Sequence, residues 1–437
     1  MINSPLGTVD MLPEEAKFWQ IFQEKARDVF GRYGYVEIQT PLFEQTDLFV
    51  RGIGEATDVV SKEMFRVISG GNLEKVFAGE QIKAKSNLSL RPEGTAGVVR
   101  AVIQNGMIPQ GSAPLKLMYA GPMFRAERPQ DGRQRQFMQI GVECLGASEP
   151  SIDAEGIIML MRFYEALGFE TKKLNLVINS MGCSKCRAKY RKDLLEFLKK
   201  NEAKLCETCV ERIEKNPLRT LDCKNKDCQK VLDKAPKISD YLCDDCKKHY
   251  AEVKDLLKGA KIKFSEDAKL VRGLDYYTKT VFEIQSGDVG SQDALCGGGR
   301  YDGLVKELGG ADTPGFGFAL GYERTLLAMK NTGFKMEPAK TCEYFIAVAS
   351  QEAREKGFEV AQSLRDYGRS VEIDHQNRSL KSQFKLADKF YAKFTIIIGE
   401  DELKKGELCI RNMETHEQQN IKQDKLFAFD AEMKKSF

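Results

Sequence analysis

Hydrophobic positions along the chain change period several times, and each change predicts an element. From Pro13 to Phe30 the apolar residues Phe18, Ile21, Phe22, Val29 and Phe30 recur at helical spacing, and Gly31 is the expected stop. Tyr35–Ile38 reads as a strand closed by Pro41. Leu88–Thr95 reads as a short strand running into a turn, with a helix from about Ala96. Two apolar-rich runs, Lys116–Arg128 and Gln136–Gly146, flank a polar segment and predict a long antiparallel hairpin. The second run alternates with period two. Met138, Ile140, Val142 and Cys144 face a core, whereas Gln139, Gly141 and Glu143 share the other face, with a gap at Gly141. That polar face has the character of a small-molecule floor. The hairpin tip carries Arg125, Arg128, Arg133 and Arg135 with Glu127 and Asp131 among them, and guanidinium forks suit phosphate oxygens. The plainer alternative is an exposed hairpin with a solvated charged loop.

Further along, a helix is expected from Ile152 to Leu167 with Gly168 as its stop, then a strand from Leu174 to Asn179. Between Gly182 and Lys263 the chain turns rich in Lys, Glu and Asp and helical in pattern, as an inserted module would. Phe264 resumes the β pattern, with a strand expected over Val281–Ile284. Cys296–Gly303 reads as a glycine-rich turn that lets backbone approach a ligand closely. Gly315–Gly321 alternates glycine with large apolar residues, as a strand does beneath a flat ligand. A helix starting near Tyr322 would put Arg324 in its first turn, a natural anion site. The last part alternates strand and helix: Tyr344–Ala349, a helix to Tyr367, Val371–Ile373, a helix over Leu380–Tyr391, and Phe394–Ile398. A small α/β domain with parallel strands follows from that order. Glu93 and Thr95, at a strand exit, are candidates for substrate contact; helix capping is their structural alternative.

Length adds a prior of about three domains for 437 residues. The net charge of +3 does not by itself demand nucleic acid, so RNA contact would have to come from local patches such as the arginine tip. No run approaches the ~18 apolar residues of a membrane span, and the polar Met1–Asp10 with Pro5 is not a signal peptide. A cytoplasmic protein without membrane association is expected. Twelve cysteines are then not a disulfide framework. Eight lie in the inserted module as Cys183/Cys186, Cys206/Cys209, Cys223/Cys228 and Cys243/Cys246. Three of these pairs have the two-residue spacing of zinc knuckles and the fourth is looser, so structural Zn2+ is expected. A redox centre, or a site with some ligands unused, is the alternative, and spacing alone leaves open which cysteines share a metal. Neither a dinucleotide G-x-G-x-x-G nor a G-x-x-x-x-G-K-[ST] loop occurs.

Several stretches together resemble the class II aminoacyl-tRNA synthetases. The helix, strand and Pro41 resemble motif 1, Phe124-Arg125-Ala126-Glu127 matches motif 2, and Gly315–Gly321 with Arg324 is similar to motif 3. Leu270–Thr278 is similar to the signature peptide of histidyl-tRNA synthetases of bacterial type. The resemblance implies an α+β fold: an antiparallel-sheet catalytic core with a helical insertion, plus a C-terminal α/β anticodon-binding domain. Implied boundaries are core 1–181, insertion 182–263, core 264–330, linker 331–340 and anticodon-binding domain 341–437. The implied reaction joins L-histidine to ATP, with Mg2+, as histidyl-adenylate and passes the histidyl group to tRNA(His). A homodimer is implied by motif 1. The resemblance places Arg272 and Arg125 as catalytic groups. Around histidine it places Glu93, Gly94, Thr95, Gln139, Glu143, Arg272, Tyr276, Tyr277 and Tyr301, with Glu143 and Tyr277 on the imidazole nitrogens. It puts Arg125, Glu127 and Arg324 at ATP, and Gln130, Arg133 and Arg135 at the tRNA acceptor end. A second reading is a non-catalytic relative, the regulatory subunit of ATP phosphoribosyltransferase. That subunit lacks the anticodon domain and need not keep the phosphate arginines, all of which this chain carries.

Overall fold

The computed structural model describes residues 2–55, 57–81, 83–108, 111, 113–287, 294–334 and 342–435. The chain divides into two compact units, Met1–Met11 with Phe18–Lys335, and Leu12–Lys17 with Met336–Phe437.

The first unit is built on an eight-stranded sheet. Its order is Val36–Glu37, Leu115–Phe124, Gln136–Leu145, Gly315–Gly321, Ala294–Arg300, Thr278–Ser286, Leu174–Ser180 and Ser265–Glu266. The inner pairings are antiparallel, and only the two short edge strands run parallel to their neighbours. The long hairpin forms, with Ile140, Val142 and Cys144 fully buried and Met138 half-buried on one face, and Gly141 and Glu143 buried on the other. The apolar stripe of the helix Pro13–Gly31 buries Phe22 and Phe30 against Phe163 of the helix Pro150–Ala166.

The glycine-rich stretch expected as a turn at 296–303 is instead mostly strand. Ala294–Arg300 lies in the middle of the sheet, paired on both sides. Its glycines are there for what lies beside them. A Cβ at Gly297 would enter the Arg272 guanidinium, one at Gly298 would meet the Gly317 carbonyl and Phe318, and one at Gly299 would meet Thr280 backbone. The strand ends on Arg300, wholly buried. Its Nε donates to Asp153 at 3.0 Å, its Nη1 to the Ala147 carbonyl at 2.8 Å and to Asp302 at 3.0 Å, and its Nη2 to the Glu149 carbonyl at 3.2 Å.

The inserted module leaves the sheet after Leu174–Ser180 and returns to it just before Ser265. It folds as helices Ser184–Lys200, Glu207–Lys215, Lys226–Leu232 and Asp244–Gly259 with short 3-10 turns between them. Its buried Tyr190, Leu194, Leu198 and Ile213 form one continuous core with Val271, Tyr277 and Val281 of the sheet region. The helix Asp244–Gly259 brings His249 to 3.5 Å from Asp153; burial, then Arg300, push that imidazole down to about 4, so it is neutral.

The second unit has a five-stranded sheet in the order Val371–Ile373, Tyr344–Val348, Phe394–Ile398, Glu407–Asn412, Gln418–Lys422. The first three strands are parallel, as strand–helix alternation predicts. Residues 335–340 of the expected linker lie outside the described residues. Among the described residues no helix is long and apolar enough to cross a membrane.

Candidate active site

A cavity of about 640 Å3 opens over the face of the large sheet that carries Gln139. Glu93, Thr95, Tyr119, Arg125, Glu127, Arg133, Gln139, Arg272, Tyr276, Tyr277, Tyr301 and Arg324 line it. The sheet explains the convergence. Strand residues of one parity share a face, and the turn after Leu88–Leu90 and the loop before Thr278–Ser286 close over it.

The floor is more enclosed than the sequence suggests. The expected gap over Gly141 is filled by the ring of Tyr119, which stands opposite it in the hairpin register and also covers Gly94. The strand Gly315–Gly321 is bare only toward its end. Gly315 makes room for the Tyr301 ring and Gly317 for the Glu143 carboxylate, while nothing crowds Gly321. Glu143 is wholly buried and lies behind the cavity wall: Thr95 Oγ1 donates to it at 2.7 Å and the Tyr301 hydroxyl bonds its other oxygen. Burial pushes its carboxyl up to about 8, against the stabilising bonds from Tyr301 and Thr95. Glu93 caps the helix Thr95–Gln104, accepting from Thr95 N at 2.7 Å and Ala96 N at 3.0 Å, so the helix begins at Thr95 with Gly94 before it. It also faces the cavity, so capping and ligand contact are not exclusive. Tyr276 sits between Tyr277 and Tyr301, with ring centroids 4.7 and 5.6 Å away. Burial raises all three phenols, Tyr277 to about 12, so they present hydroxyls and not phenolates. Gln139 Oε1 is buried without a hydrogen-bond partner.

Three arginines line the same cavity. Arg125 Nε donates to the Pro92 carbonyl at 3.0 Å and its guanidinium lies 5.3 Å over the Phe137 ring. Arg324, in the first turn of the helix Tyr322–Asn331, donates to the carbonyls of Gly132 and Ala294 at 3.1 and 3.0 Å. Burial, then Arg133, lower it to about 10, which still leaves it charged. Arg272 pairs with Glu283 on the strand Thr278–Ser286, and Asp275 nearby in the chain is bonded by Asn216. Arg133 pairs with Glu127 at 2.8 Å. Arg135 does not stand at the hairpin tip: its backbone N donates to the Gly7 carbonyl and its side chain packs on Gly7, whereas Arg128 and Gln130 are the exposed ones. Sequence reading missed Tyr119, Glu283 and Glu323. Tyr119 faces Gly141 through the register Leu115↔Leu145 to Phe124↔Gln136, which alternation alone does not fix across the loop 125–135.

The eight cysteines of the inserted module form two clusters, and chain order does not give their pairing. Cys183 and Cys186 meet Cys243 and Cys246; Cys206 and Cys209 meet Cys223 and Cys228. A tetrahedral thiolate site at the zinc–sulfur distance of ≈ 2.3 Å puts its sulfurs about 3.8 Å apart. Here Cys183–Cys186, Cys183–Cys243 and Cys206–Cys223 are 3.6, 4.0 and 3.8 Å apart. Each cluster repeats one further bond: Cys243 N donates to Cys186 Sγ, and Cys206 N to Cys228 Sγ, both at 3.1 Å.

The family model for histidyl-tRNA synthetase matches residues 7–325, and that for an anticodon binding domain matches residues 343–432. The chain is 45% identical over 423 residues to the histidine–tRNA ligase of Clostridioides difficile, covering 97% of each. It is 45% identical over 430 residues to that of Acetivibrio thermocellus, covering 98% of this chain and 99% of the relative. The crystal structure of the apo S. aureus histidyl-tRNA synthetase matches at a TM-score of 0.79 and 36% identity, covering 98% of this chain and 99% of that one.

Proposed function

This chain belongs to the histidyl-tRNA synthetase family, and from that premise we propose how its cavity carries out the family's reaction. The reaction is that of an aminoacyl-tRNA-forming ligase. L-Histidine and ATP give histidyl-adenylate and pyrophosphate, and the histidyl group passes to the 3′ end of tRNA(His). The observation that carries the site assignment is that one cavity is lined both by Arg125, Arg272 and Arg324 and by Glu93, Thr95, Gln139, Tyr276, Tyr277 and Tyr301.

Adenylate formation sets a carboxylate against an anionic α-phosphate. Arg272 and Arg125 offset that repulsion and hold the two in line, and Arg324 receives the triphosphate. ATP enters as its Mg2+ complex, and Glu127, Glu283 and Glu323 on the wall are oxygen donors suited to that ion. Glu93 and Thr95 receive the α-amino group and Gln139 Oε1 gains the donor it lacks. Tyr277 meets the imidazole, and Glu143 acts from behind through Tyr301 and Thr95 or directly when the wall opens. Gln130 and Arg133 at the motif 2 hairpin meet the acceptor end of the tRNA, and Arg135, packed on Gly7, holds the base of that loop. The reading extends to a cytoplasmic homodimer, for which solution mass is the check. Histidine-dependent ATP–pyrophosphate exchange tests the reading: absence of exchange by folded protein would instead favour the non-catalytic regulatory relative.

Each cysteine cluster fits one Zn2+ by donor type and sulfur spacing. Zinc would act there as a closed structural centre, with the donated Cys243 and Cys206 amides supporting the thiolates. Two zinc ions per chain, one for each cluster, is the expected result of metal analysis. A redox pair would show no metal and oxidisable thiols.

A further inference from the structure

The loop that carries Arg272 and Tyr277 has empty space on both sides. Arg272, Leu274 and Tyr277 border the active-site cavity and also a second cavity of about 370 Å3 behind it. Leu270, Val271, Tyr276 and Tyr277 of the loop pack into the core, and hydrogen bonds to its backbone and to Asp275, one of them from Asp275 N to the Ile53 carbonyl, fix its place further.

Those bonds come largely from the inserted module. Asn216 Nδ2 donates to both oxygens of Asp275, at 2.8 and 3.1 Å. Arg187 Nη1 donates to the carbonyls of Asp275 and Tyr277, at 3.3 and 2.9 Å. Both donors are tied to the cysteine clusters. Arg187 follows Cys186 directly, in the helix that Cys183 begins. Asn216 ends the helix Glu207–Lys215 that Cys206 begins, and it lies in the segment closed between Cys209 and Cys223. The same segment is anchored on the catalytic side by Arg212, which pairs with Asp58 at 2.8 Å.

We propose that the two thiolate centres hold the histidine-binding loop in place, with Arg187 and Asn216 as positioning residues, so that histidine activation depends on metal loading of the inserted module. This rests on the zinc reading above. A filled centre at Cys206, Cys209, Cys223 and Cys228 fixes the ends of the segment that presents Asn216. A filled centre at Cys183, Cys186, Cys243 and Cys246 fixes the helix start that presents Arg187. Loss of either leaves Asp275 with fewer partners and lets Arg272 and Tyr277 drift together. The consequence falls on histidine more than on ATP, because Arg125 and Arg324 belong to other elements.

The test measures zinc content, melting temperature and initial-rate ATP–pyrophosphate exchange on the same full-length samples. Asn216→Ala touches no thiolate. It should keep the zinc of the unaltered chain and raise KM for histidine about tenfold, with KM for ATP moving less than about threefold. Cys223→Ser should lose the zinc of its cluster and show the same split, and Cys223→His, which keeps a ligand, should restore both. Unchanged histidine KM in Asn216→Ala overturns the positioning role. A Cys223→Ser protein that loses zinc yet keeps its histidine KM overturns the metal dependence, and in both cases the zinc assignment stands. An unaltered chain that carries no zinc overturns the zinc assignment, and the metal dependence with it.

Discussion

Arg272 and Glu143 show how much one side chain is asked to do. Arg272 reaches the cavity only because Gly297 carries no Cβ, and it is already paired with Glu283. If it aligns carboxylate and phosphate, geometry matters as well as charge, and a lysine keeps the charge without the fork. Arg272→Lys and Arg272→His should lower kcat for pyrophosphate exchange about a hundredfold or more, on the order of 3 kcal/mol, with KM for ATP little changed. Lost thermal stability with exchange by the folded fraction within about tenfold of the unaltered chain would mean that the pair with Glu283 is its whole role. Glu143 makes a pH prediction. Its folded value is about 8, against about 4.3 in an unfolded chain. Between those values the folded chain holds a proton that the unfolded chain has released. The stability contributed by this group is therefore full below the unfolded value, falls as pH rises, and levels off above about 8. Glu143→Gln keeps a neutral side chain of similar shape. Its melting temperature relative to the unaltered chain should rise from pH 5 to pH 8; a pH-independent difference would show that burial does not shift this carboxyl.

At the scale of elements, the strand Ala294–Arg300 is the most exposed to substitution. Its end is fixed by Arg300, buried with Asp153 of the helix Pro150–Ala166. Arg300→Met leaves Asp153 uncompensated and should cost about 3–5 kcal/mol in urea unfolding, and adding Asp153→Leu should recover part of that. Gly298→Ala should cost about 1–3 kcal/mol, because its Cβ would meet backbone and not a flexible side-chain end. This strand also shows where sequence reading stops. A run of glycines carries a turn signal because local propensity is all that a short window holds. Here each missing side chain is a vacancy for something distant: the Arg272 guanidinium, Phe318, or the Thr280 backbone. The hairpin was legible because alternation is local, and so were the helices Pro13–Gly31 and Pro150–Ala166. Many of the residues drawn from motif positions line one cavity, whereas Glu143 lies behind its wall and Arg135 packs on Gly7. Glu283 as the partner of Arg272 and the pairing of the cysteines were not legible, because both depend on how far-apart segments return to each other.

Across the whole molecule, the inserted module and the sheet region share one core, whereas the second unit has its own, with Tyr344, Ile346, Phe394 and Ile398 at its centre. Calorimetry should therefore show the module melting with the sheet region, and chelation should move that transition while leaving the transition of residues 343–432 in place. Separate melting of the module alone would contradict a shared core. The module also sits between partners: Leu174–Ser180 pairs with Thr278–Ser286, although the whole insertion separates them in the chain. Joining those strands means closing a long loop before any contact rewards it, and such closure slows folding. The cluster of Cys183 and Cys186 with Cys243 and Cys246 lies near the two ends of that loop. A metal held there shortens the stretch left to close, so the apo chain should refold more slowly than the zinc-loaded one.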